Sequence, residues 1–262
     1  MFRYAFRIEY DGSCFHGWQK QKNLETIQGT LNRCINILDP ISDGVIGAGR
    51  TDAGVHATGQ VAHVDLKAEW DPSVLRNALN YHLRNNKISV IEAVNVPTIF
   101  HSRFSAIKRY YVYKFFCRAA PLALEQNRYW HLKRSLNIQK MKAGASHLIG
   151  HHDFTTFRSA LCQSKSPVKS IGSIAISELA YATGSIIEIH IAAKSFLHNQ
   201  VRSIAGTLEK VGSGAWSPNR VAKALEAKDR SACGPVAPAG GLYLVQVDYE
   251  KEIFQTTEIP IH

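Results

Sequence analysis

The chain of 262 residues has no apolar run that approaches the roughly 18 residues of a membrane span. Near its N-terminus, Arg3 and Arg7 interrupt the apolar core that a secretory signal would need. It has only five cysteines, scattered and odd in number, so a disulfide framework is not expected. These absences exclude membrane-spanning and disulfide-stapled secreted proteins, and we expect a protein of the reducing cytoplasm.

Sequence patterns for metals and nucleotides are also missing. No pair of cysteines has metal-ligand spacing, and the twelve histidines include no H-E-x-x-H sequence. The chain has neither a P-loop nor a dinucleotide-binding glycine pattern. We therefore expect neither a metal site nor a nucleotide-binding loop.

The charge of the chain is lopsided. Residues 1–105 carry a net charge of +1, whereas residues 106–262 carry +9 of the total of +10. Between Arg128 and Lys169, eight basic residues stand against the single acid Asp153: Arg128, Lys133, Arg134, Lys140, Lys142, Arg158, Lys165 and Lys169. This excess favours a polyanionic partner, most simply nucleic acid. A basic face that only confers solubility is the alternative.

A glycine-rich segment holds one carboxylate. Four glycines lie between Gly47 and Gly59, and Asp52 is the only acid from Ile46 to Val64. Glycine tolerates positive φ and close approach, so such a loop can present Asp52 at the bottom of a cleft. Arg50, two residues earlier, is close enough to hold that carboxylate ionised. A glycine-rich turn with a structural Asp–Arg pair explains the same residues equally well.

The first half of the chain alternates strands and helices. Hydrophobic periodicity and capping residues predict an α/β arrangement with helices on one face of a sheet. The predicted elements are a strand Arg3–Tyr10, a helix capped by Thr26 and reaching Leu38, a strand Gln60–Asp65, a helix from Asp71-Pro72 to Tyr81 and a strand Ile88–Val94. Trp18 lies in a polar loop, where an exposed aromatic ring could stack on a base.

The second half begins after a hinge near residues 100–106. A strand over Lys108–Phe116 places Arg109, Tyr111 and Tyr113 on one face. The remaining predictions are a helix Ile138–Ile149, a long loop from His152 to Ser170, a hairpin of Ile171–Leu179 with Ser185–Ala192, a helix from Phe196 to Gly212, a helix from Ser217-Pro218 to Lys228 and a closing strand within residues 237–247. Arg202 lies off the apolar stripe of its helix, so it is either a solvent arginine or the partner of a buried anion.

Several motifs together resemble those of the TruA family of tRNA pseudouridine synthases. The most specific is Gly-Arg-Thr-Asp-Ala-Gly-Val-His-Ala around Asp52, followed by Gly-Gln-Val. The others are Asp-Gly-x-x-Phe-x-Gly-Trp-Gln from Asp11, Ala-x-x-Arg-x-Tyr-x-Tyr from Ala106, Phe-Leu-His-Asn-Gln-Val-Arg ending at Arg202, and Gly-Leu-Tyr-Leu ending at Leu244. The resemblance covers nearly the whole chain; Ser102 stands where the family usually has alanine.

The resemblance implies an α+β pseudouridine synthase fold. It has two α/β halves with mainly antiparallel sheets, helices on the outer faces and an active-site cleft between them. Here the halves would be residues 1–105, with the Asp52 loop, and residues 106–262, with Tyr111 and Arg202. The implied activity is isomerisation of uridines 38, 39 and 40 in the anticodon arm of tRNA, without a cofactor, by a homodimer in which one tRNA touches both subunits.

The resemblance also implies roles for individual residues. Asp52 is the catalytic carboxylate, Tyr111 lies against the target uracil and is a candidate base at C5, and Arg202 pairs with Asp52. Arg50 would hold RNA or help to turn the target nucleotide out of its stack. Leu244 would pack near the uracil, and Arg158 would contact RNA from its loop.

Two other classes of function remain open at this level. A non-catalytic RNA-binding module would explain the charge and the aromatic residues, but an acid in a glycine loop would repel phosphate without benefit. A glycoside hydrolase could also use Asp52, but that chemistry needs a second carboxylate, and residues 46–64 supply only one.

Overall fold

The computed structural model describes residues 1–254, which separate into two compact units. The first unit contains Met1–Ile107 and the described residues from Gln246 onward, and the second contains Lys108–Val245. Within residues 1–254, none of the helices has the length and apolarity needed to cross a membrane.

The first unit is organised around the strand that opens the chain. Its elements are β1 (Phe2–Tyr10), α1 (Ile27–Leu38), β2 (Ile46–Gly47), β3 (His56–Leu66), α2 (Pro72–Leu83) and β4 (Ile88–Val96). β1 pairs antiparallel with β3 on one side and with β4 on the other, and the short β2 pairs with β3. The central β1 is consequently buried. Its last residue, Tyr10, pairs with Ala57 near the start of β3.

Both helices of this unit begin where their capping residues predict. The Thr26 side chain accepts a hydrogen bond from the Gly29 amide, and Asp71 accepts bonds from the Ser73 and Val74 amides with Pro72 in the first turn. A side chain in these positions satisfies amides that have no partner inside the helix. The predicted strands and helices of the first half are therefore confirmed, with β3 starting earlier than expected.

The second unit is also mainly antiparallel. Its elements are β5 (Ala106–Cys117), β6 (Trp130–Leu132), α3 (Ile138–Ser146), β7 (Gly150–Asp153), β8 (Val168–Tyr181), β9 (Gly184–Ala193), α4 (Gln200–Gly212), α5 (Asn219–Ala227) and β10 (Leu242–Tyr249). The first two residues of β5 and the last four of β10 belong to the first unit. β9 lies between β5 and β8 and is antiparallel to both, β7 pairs antiparallel with β8, and the short β6 pairs in parallel with β5. The chain therefore has mixed α/β content with mostly antiparallel strands, as predicted.

Two predictions for the second unit are wrong in detail. The segment His152–Ser170 is not one loop, because β7 and a 3₁₀ turn at Thr155–Phe157 occupy its start and β8 begins at Val168. The helix that carries Arg202 begins at Gln200 instead of Phe196. Asn199 before it has a left-handed backbone with φ of 63°, which stops the helix from extending toward Phe196.

Ser102 has a structural role in the first unit. Its buried hydroxyl donates a hydrogen bond of 2.6 Å to the Ile46 carbonyl in β2 and lies 2.9 Å from Nδ1 of His63 in β3. Burial, together with the nearby charges of Arg3 and His101, lowers the pKa of His63 to about 4, so the ring is neutral near pH 7. An alanine at position 102 could not make these bonds, so the serine ties β2, where the Asp52 loop begins, to β3.

Candidate active site

Asp52 lies in the loop that joins β2 to β3 in the first unit. Its side chain is half-buried, while that of Arg50 is exposed to solvent. The Val55 amide donates a hydrogen bond of 3.1 Å to the Asp52 carbonyl, which closes a turn just after the carboxylate. The loop therefore presents Asp52 in a turn of defined shape, with Arg50 directed toward solvent.

Two buried side chains hold the loop from beneath. The Tyr10 hydroxyl lies 2.8 Å from the Thr51 hydroxyl, and Gln60 Nε2 donates a hydrogen bond of 2.8 Å to the Gly49 carbonyl. Burial raises the pKa of Tyr10 to about 12, against hydrogen bonds from Thr51 and Gln60 that lower it. Tyr10 thus remains a neutral phenol at physiological pH, and the residues on both sides of Arg50 are fixed.

Trp18 also supports this loop, so its prediction as an exposed stacking residue is wrong. Only 2% of Trp18 is exposed, and its amide donates a hydrogen bond of 2.9 Å to the Thr51 carbonyl. Its indole packs on Gly47, where an added Cβ would lie 2.5 Å from the ring. The preceding Gly17 has φ of +90°, and a Cβ there would meet the Thr51 carbonyl at 2.7 Å. These glycines let the loop and the tryptophan segment touch.

Tyr111 lies in the middle of β5 in the second unit, opposite Ile191 of β9. The residue is buried, and the edge of its ring meets the ring of Phe196 with centroids 5.2 Å apart. Tyr113, two residues on, is completely buried, and Phe115 is too, which confirms them as core residues. Tyr111 is therefore an aromatic platform at the margin of this core.

Arg202 is half-buried in the first turn of α4. Its Nε donates to the Ala237 carbonyl at 2.8 Å, and its Nη1 donates to the Asn199 side-chain oxygen at 3.0 Å. Asn199 makes no side-chain capping bond to α4; its side chain holds the arginine instead. These two acceptors fix the plane of the guanidinium. The side chain of an arginine in solvent would not be fixed in this way.

The face of β5 that bears Tyr111 and the start of α4 converge on one segment of the second unit. The Tyr113 hydroxyl donates to the Pro238 carbonyl at 2.8 Å, next to the Ala237 carbonyl that accepts from Arg202. Burial raises the pKa of Tyr113, and the nearby Arg202 charge lowers it in part. Residues 237–238 therefore fix β5 and Arg202 with respect to each other.

The other predicted contact residues differ in exposure. Arg158 is half-buried after the 3₁₀ turn, and the Ser159 amide beside it donates to the His198 carbonyl at 2.9 Å, close to the start of α4. Leu244 is completely buried in β10, so its contact with a base stays a prediction. Of the eight basic residues from Arg128 to Lys169, six are exposed to solvent, and Arg158 and Lys169 are half-buried.

The structure assigns Asp52 and Arg50 to the first unit and Tyr111, Arg158, Arg202 and Leu244 to the second. Sequence reasoning missed Tyr10, Gln60 and Asn199, which hold the candidate site residues in place. Only Asn199 carried a signal, because asparagine is enriched in the left-handed conformation. Among residues 1–254, no group of three or more His, Cys, Asp or Glu side chains is arranged to hold a metal ion.

A family model described as tRNA pseudouridine synthase matches residues 7–105 and 145–250, which include the Asp52 loop, α4 and β10. The gap in the match contains β5, so Tyr111 lies outside the matched ranges.

Curated relatives match the chain over almost its full length. Proteins named tRNA pseudouridine synthase A from Paracoccus denitrificans and Cereibacter sphaeroides are 51% and 50% identical to it over 255 and 252 residues. In both comparisons 96% of this chain is covered, with 98% and 99% of the respective relative. The relative of the same name from Sinorhizobium fredii is 50% identical over 249 residues, covering 94% of this chain and 99% of its own.

Proposed function

Because the chain belongs to the tRNA pseudouridine synthase family, we propose that it isomerises uridines 38, 39 and 40 of the tRNA anticodon arm, with Asp52 as the catalytic carboxylate. The observation that carries the proposal is the Asp52 loop, where a single acid is half-buried in a turn held by buried neighbours. A carboxylate that reacts at a sugar must be held in position relative to the reacting atoms, and this loop holds Asp52 in position.

The reaction conserves every atom of the uridine. The N1–C1′ bond breaks, the uracil turns, C5 bonds to C1′, and the proton on C5 is lost while N1 gains one. Asp52 acts on the sugar by one of two routes. It attacks C1′ to form an ester that C5 then displaces, or it removes the proton from C2′ to give a glycal and returns that proton when C5 bonds to C1′. Deuterium at C2′ separates the two routes, because only the second breaks that C–H bond.

The remaining site residues have supporting roles in this proposal. Tyr111 stacks on the uracil and takes the C5 proton, and Leu244 packs behind the base. Arg202 keeps Asp52 ionised, since a guanidinium stays charged even when it is partly buried. Its fixed plane, set by Ala237 and Asn199, supports that role. The exposed Arg50 and the loop-borne Arg158 contact the RNA backbone near the target.

In this proposal the partner is a tRNA, which binds on the basic second unit of a homodimer in the cytoplasm. The exposed lysines and arginines between residues 128 and 169 support the proposal that this surface binds the tRNA phosphates. Each phosphate contact releases condensed counterions. Sedimentation of the protein with and without tRNA tests the homodimer. Without tRNA, the protein should have twice the mass of one chain.

We expect tRNA binding to weaken steeply as salt rises. A plot of log affinity against log salt should have a slope of about −0.7 to −0.9 for each phosphate contact. Lys165→Gln with Lys169→Gln should make the slope shallower, whereas Lys20→Gln with Lys22→Gln, a matched pair in the first unit, should not. A flat plot for the unaltered protein would contradict a polyanionic partner.

Tyr111→Phe should keep binding but lose turnover. The ring that stacks is retained and the hydroxyl that accepts the C5 proton is removed, so tRNA affinity should stay within about twofold while the rate falls by about 10²-fold or more. Single-turnover assays that follow both glycosidic cleavage and pseudouridine formation should show cleavage without product.

The control for this prediction is Tyr110→Phe. Tyr110 is the neighbouring residue and projects to the opposite face of β5, so losing its hydroxyl should leave the rate unchanged. Normal turnover by Tyr111→Phe would leave Tyr111 only a stacking role, and normal turnover by Tyr111→Ala would remove it from the site.

A further inference from the structure

The loop that carries Asp52 is connected to the core of the first unit through a short series of hydrogen bonds. Tyr10 is the last residue of β1 and is only 4% exposed, and Gln60 in β3 is completely buried. The Tyr10 hydroxyl lies 2.8 Å from the Thr51 hydroxyl, and Gln60 donates to the Gly49 carbonyl at 2.8 Å. Gln60 also lies close enough to the Tyr10 hydroxyl to lower its pKa. Residues 49 and 51 are therefore held by two neighbouring buried side chains, Gln60 and Tyr10.

These hydrogen bonds act on the residue next to Asp52. Thr51 immediately precedes Asp52, and the backbone torsions between them set the direction of the Asp52 carboxylate. The Thr51 carbonyl is fixed separately by the Trp18 amide, so its side chain and its backbone are both held. Removal of the Tyr10 hydroxyl would leave Thr51 held only through its carbonyl, with its buried hydroxyl deprived of this partner.

We propose that Tyr10, acting through Thr51 and together with Gln60, is a positioning residue that aims the Asp52 carboxylate at the sugar. This rests on the proposed catalytic role of Asp52. Tyr10 touches neither substrate nor reacting atoms, and its effect on the reaction comes only from the geometry of the loop. A displacement of about 1 Å in a catalytic group lowers rates by about 10²-fold, so a lost anchor affects the rate more than the stability.

The test uses Tyr10→Phe, which keeps the ring and its contact with Trp18 at a centroid distance of 6.2 Å. The single-turnover rate of pseudouridine formation, measured with saturating enzyme, should fall by about tenfold or more, as loss of a positioning hydrogen bond predicts. The Kd for tRNA should stay within about twofold, because Tyr10 is buried away from RNA. Thr51→Val removes the same bond from its other end and should have the same effect.

Two comparisons separate positioning from general destabilisation. Tyr4→Phe is the matched control, since Tyr4 is a completely buried tyrosine of the same strand whose hydroxyl bonds to the Trp70 backbone, far along β1 from the loop. It should lower the melting temperature without changing the rate. Thr51→Ser, which retains the hydroxyl, should restore most of the rate lost in Thr51→Val, and Tyr10→Phe combined with Thr51→Val should be no slower than either alone.

The outcomes also distinguish this inference from the proposed function. If Asp52→Asn is inactive while Tyr10→Phe and Thr51→Val keep the unaltered rate, the positioning role is wrong and Asp52 remains the catalyst. Rate losses in Tyr10→Phe that match those of Tyr4→Phe would likewise reduce Tyr10 to a structural residue. If Asp52→Asn is active, the proposed function itself fails.

Discussion

Asp52→Asn should bind tRNA as well as the unaltered protein and convert it at no more than a residual single-turnover rate. The substitution keeps the size of the side chain and most of its hydrogen-bonding capacity, but an amide can neither attack C1′ nor accept the C2′ proton. We expect the single-turnover rate to fall by about a thousandfold or more, the range for loss of a nucleophile or general base. The supporting bonds of the loop lie at Gly49, Thr51 and Val55, so its fold should survive.

Asp43→Asn is the control for charge. Asp43 is an exposed acid of the same unit, outside the Asp52 loop, and its neutralisation changes the net charge by the same amount. Its rate and its tRNA affinity should equal those of the unaltered protein. Activity of Asp52→Asn within about tenfold of normal, a barrier change near 1.4 kcal/mol, would show that Asp52 is not the catalytic group.

The second large effect is expected for Arg202→Lys. Lysine keeps the positive charge but replaces a planar fork by a point charge, and it cannot bond to Ala237 and Asn199 while also making the proposed ion pair with Asp52. The rate should fall by about 10²-fold, close to 2.7 kcal/mol of barrier, while the Kd for tRNA changes by less than about threefold.

Arg118→Lys provides the comparison for Arg202. Like Arg202, the Arg118 guanidinium donates to two acceptors, here the backbone carbonyls of Ala120 and Pro121. Arg118 lies just after the last residue of β5, whereas Tyr111 lies in the middle of that strand. Its replacement should leave the rate within about twofold. A double-mutant cycle of Arg202→Lys with Asp52→Asn adds the second criterion: additive effects of the two changes on the rate would contradict a partnership between the side chains.

The sequence predicted those parts of the fold that depend on neighbouring residues. Thr26, Asp71 and Asn137 accept hydrogen bonds from amides two or three positions later, so a helix start can be predicted from a few adjacent letters. The hairpin of β8 and β9 was predictable for the same reason, because alternating residues and a short turn are local features. The start of α4 was not, since Asn199 uses its side chain to hold Arg202 and its backbone leaves the helix region.

The site was predictable only in part, for a physical reason. Asp52 was evident because its glycine-rich surroundings are contiguous in sequence. Tyr10 and Gln60 reach the loop from β1 and β3, and that contact depends on how the strands pair. Trp18 was misassigned because burial depends on what packs against a side chain, and Gly47 lies 29 residues later. Tertiary contacts of this kind leave no local pattern to interpret.

The proposed activity of this chain is formation of pseudouridine at defined uridines of the anticodon arm. The most direct measurement incubates the full chain with tRNA from a strain that lacks the protein, followed by carbodiimide treatment and primer extension to map pseudouridine. We expect new stops one nucleotide to the 3′ side of positions 38, 39 and 40 in tRNAs that carry uridine there, and none when Asp52→Asn replaces the unaltered chain. Stops only at other positions, or no stops with a folded protein that binds tRNA, would contradict it.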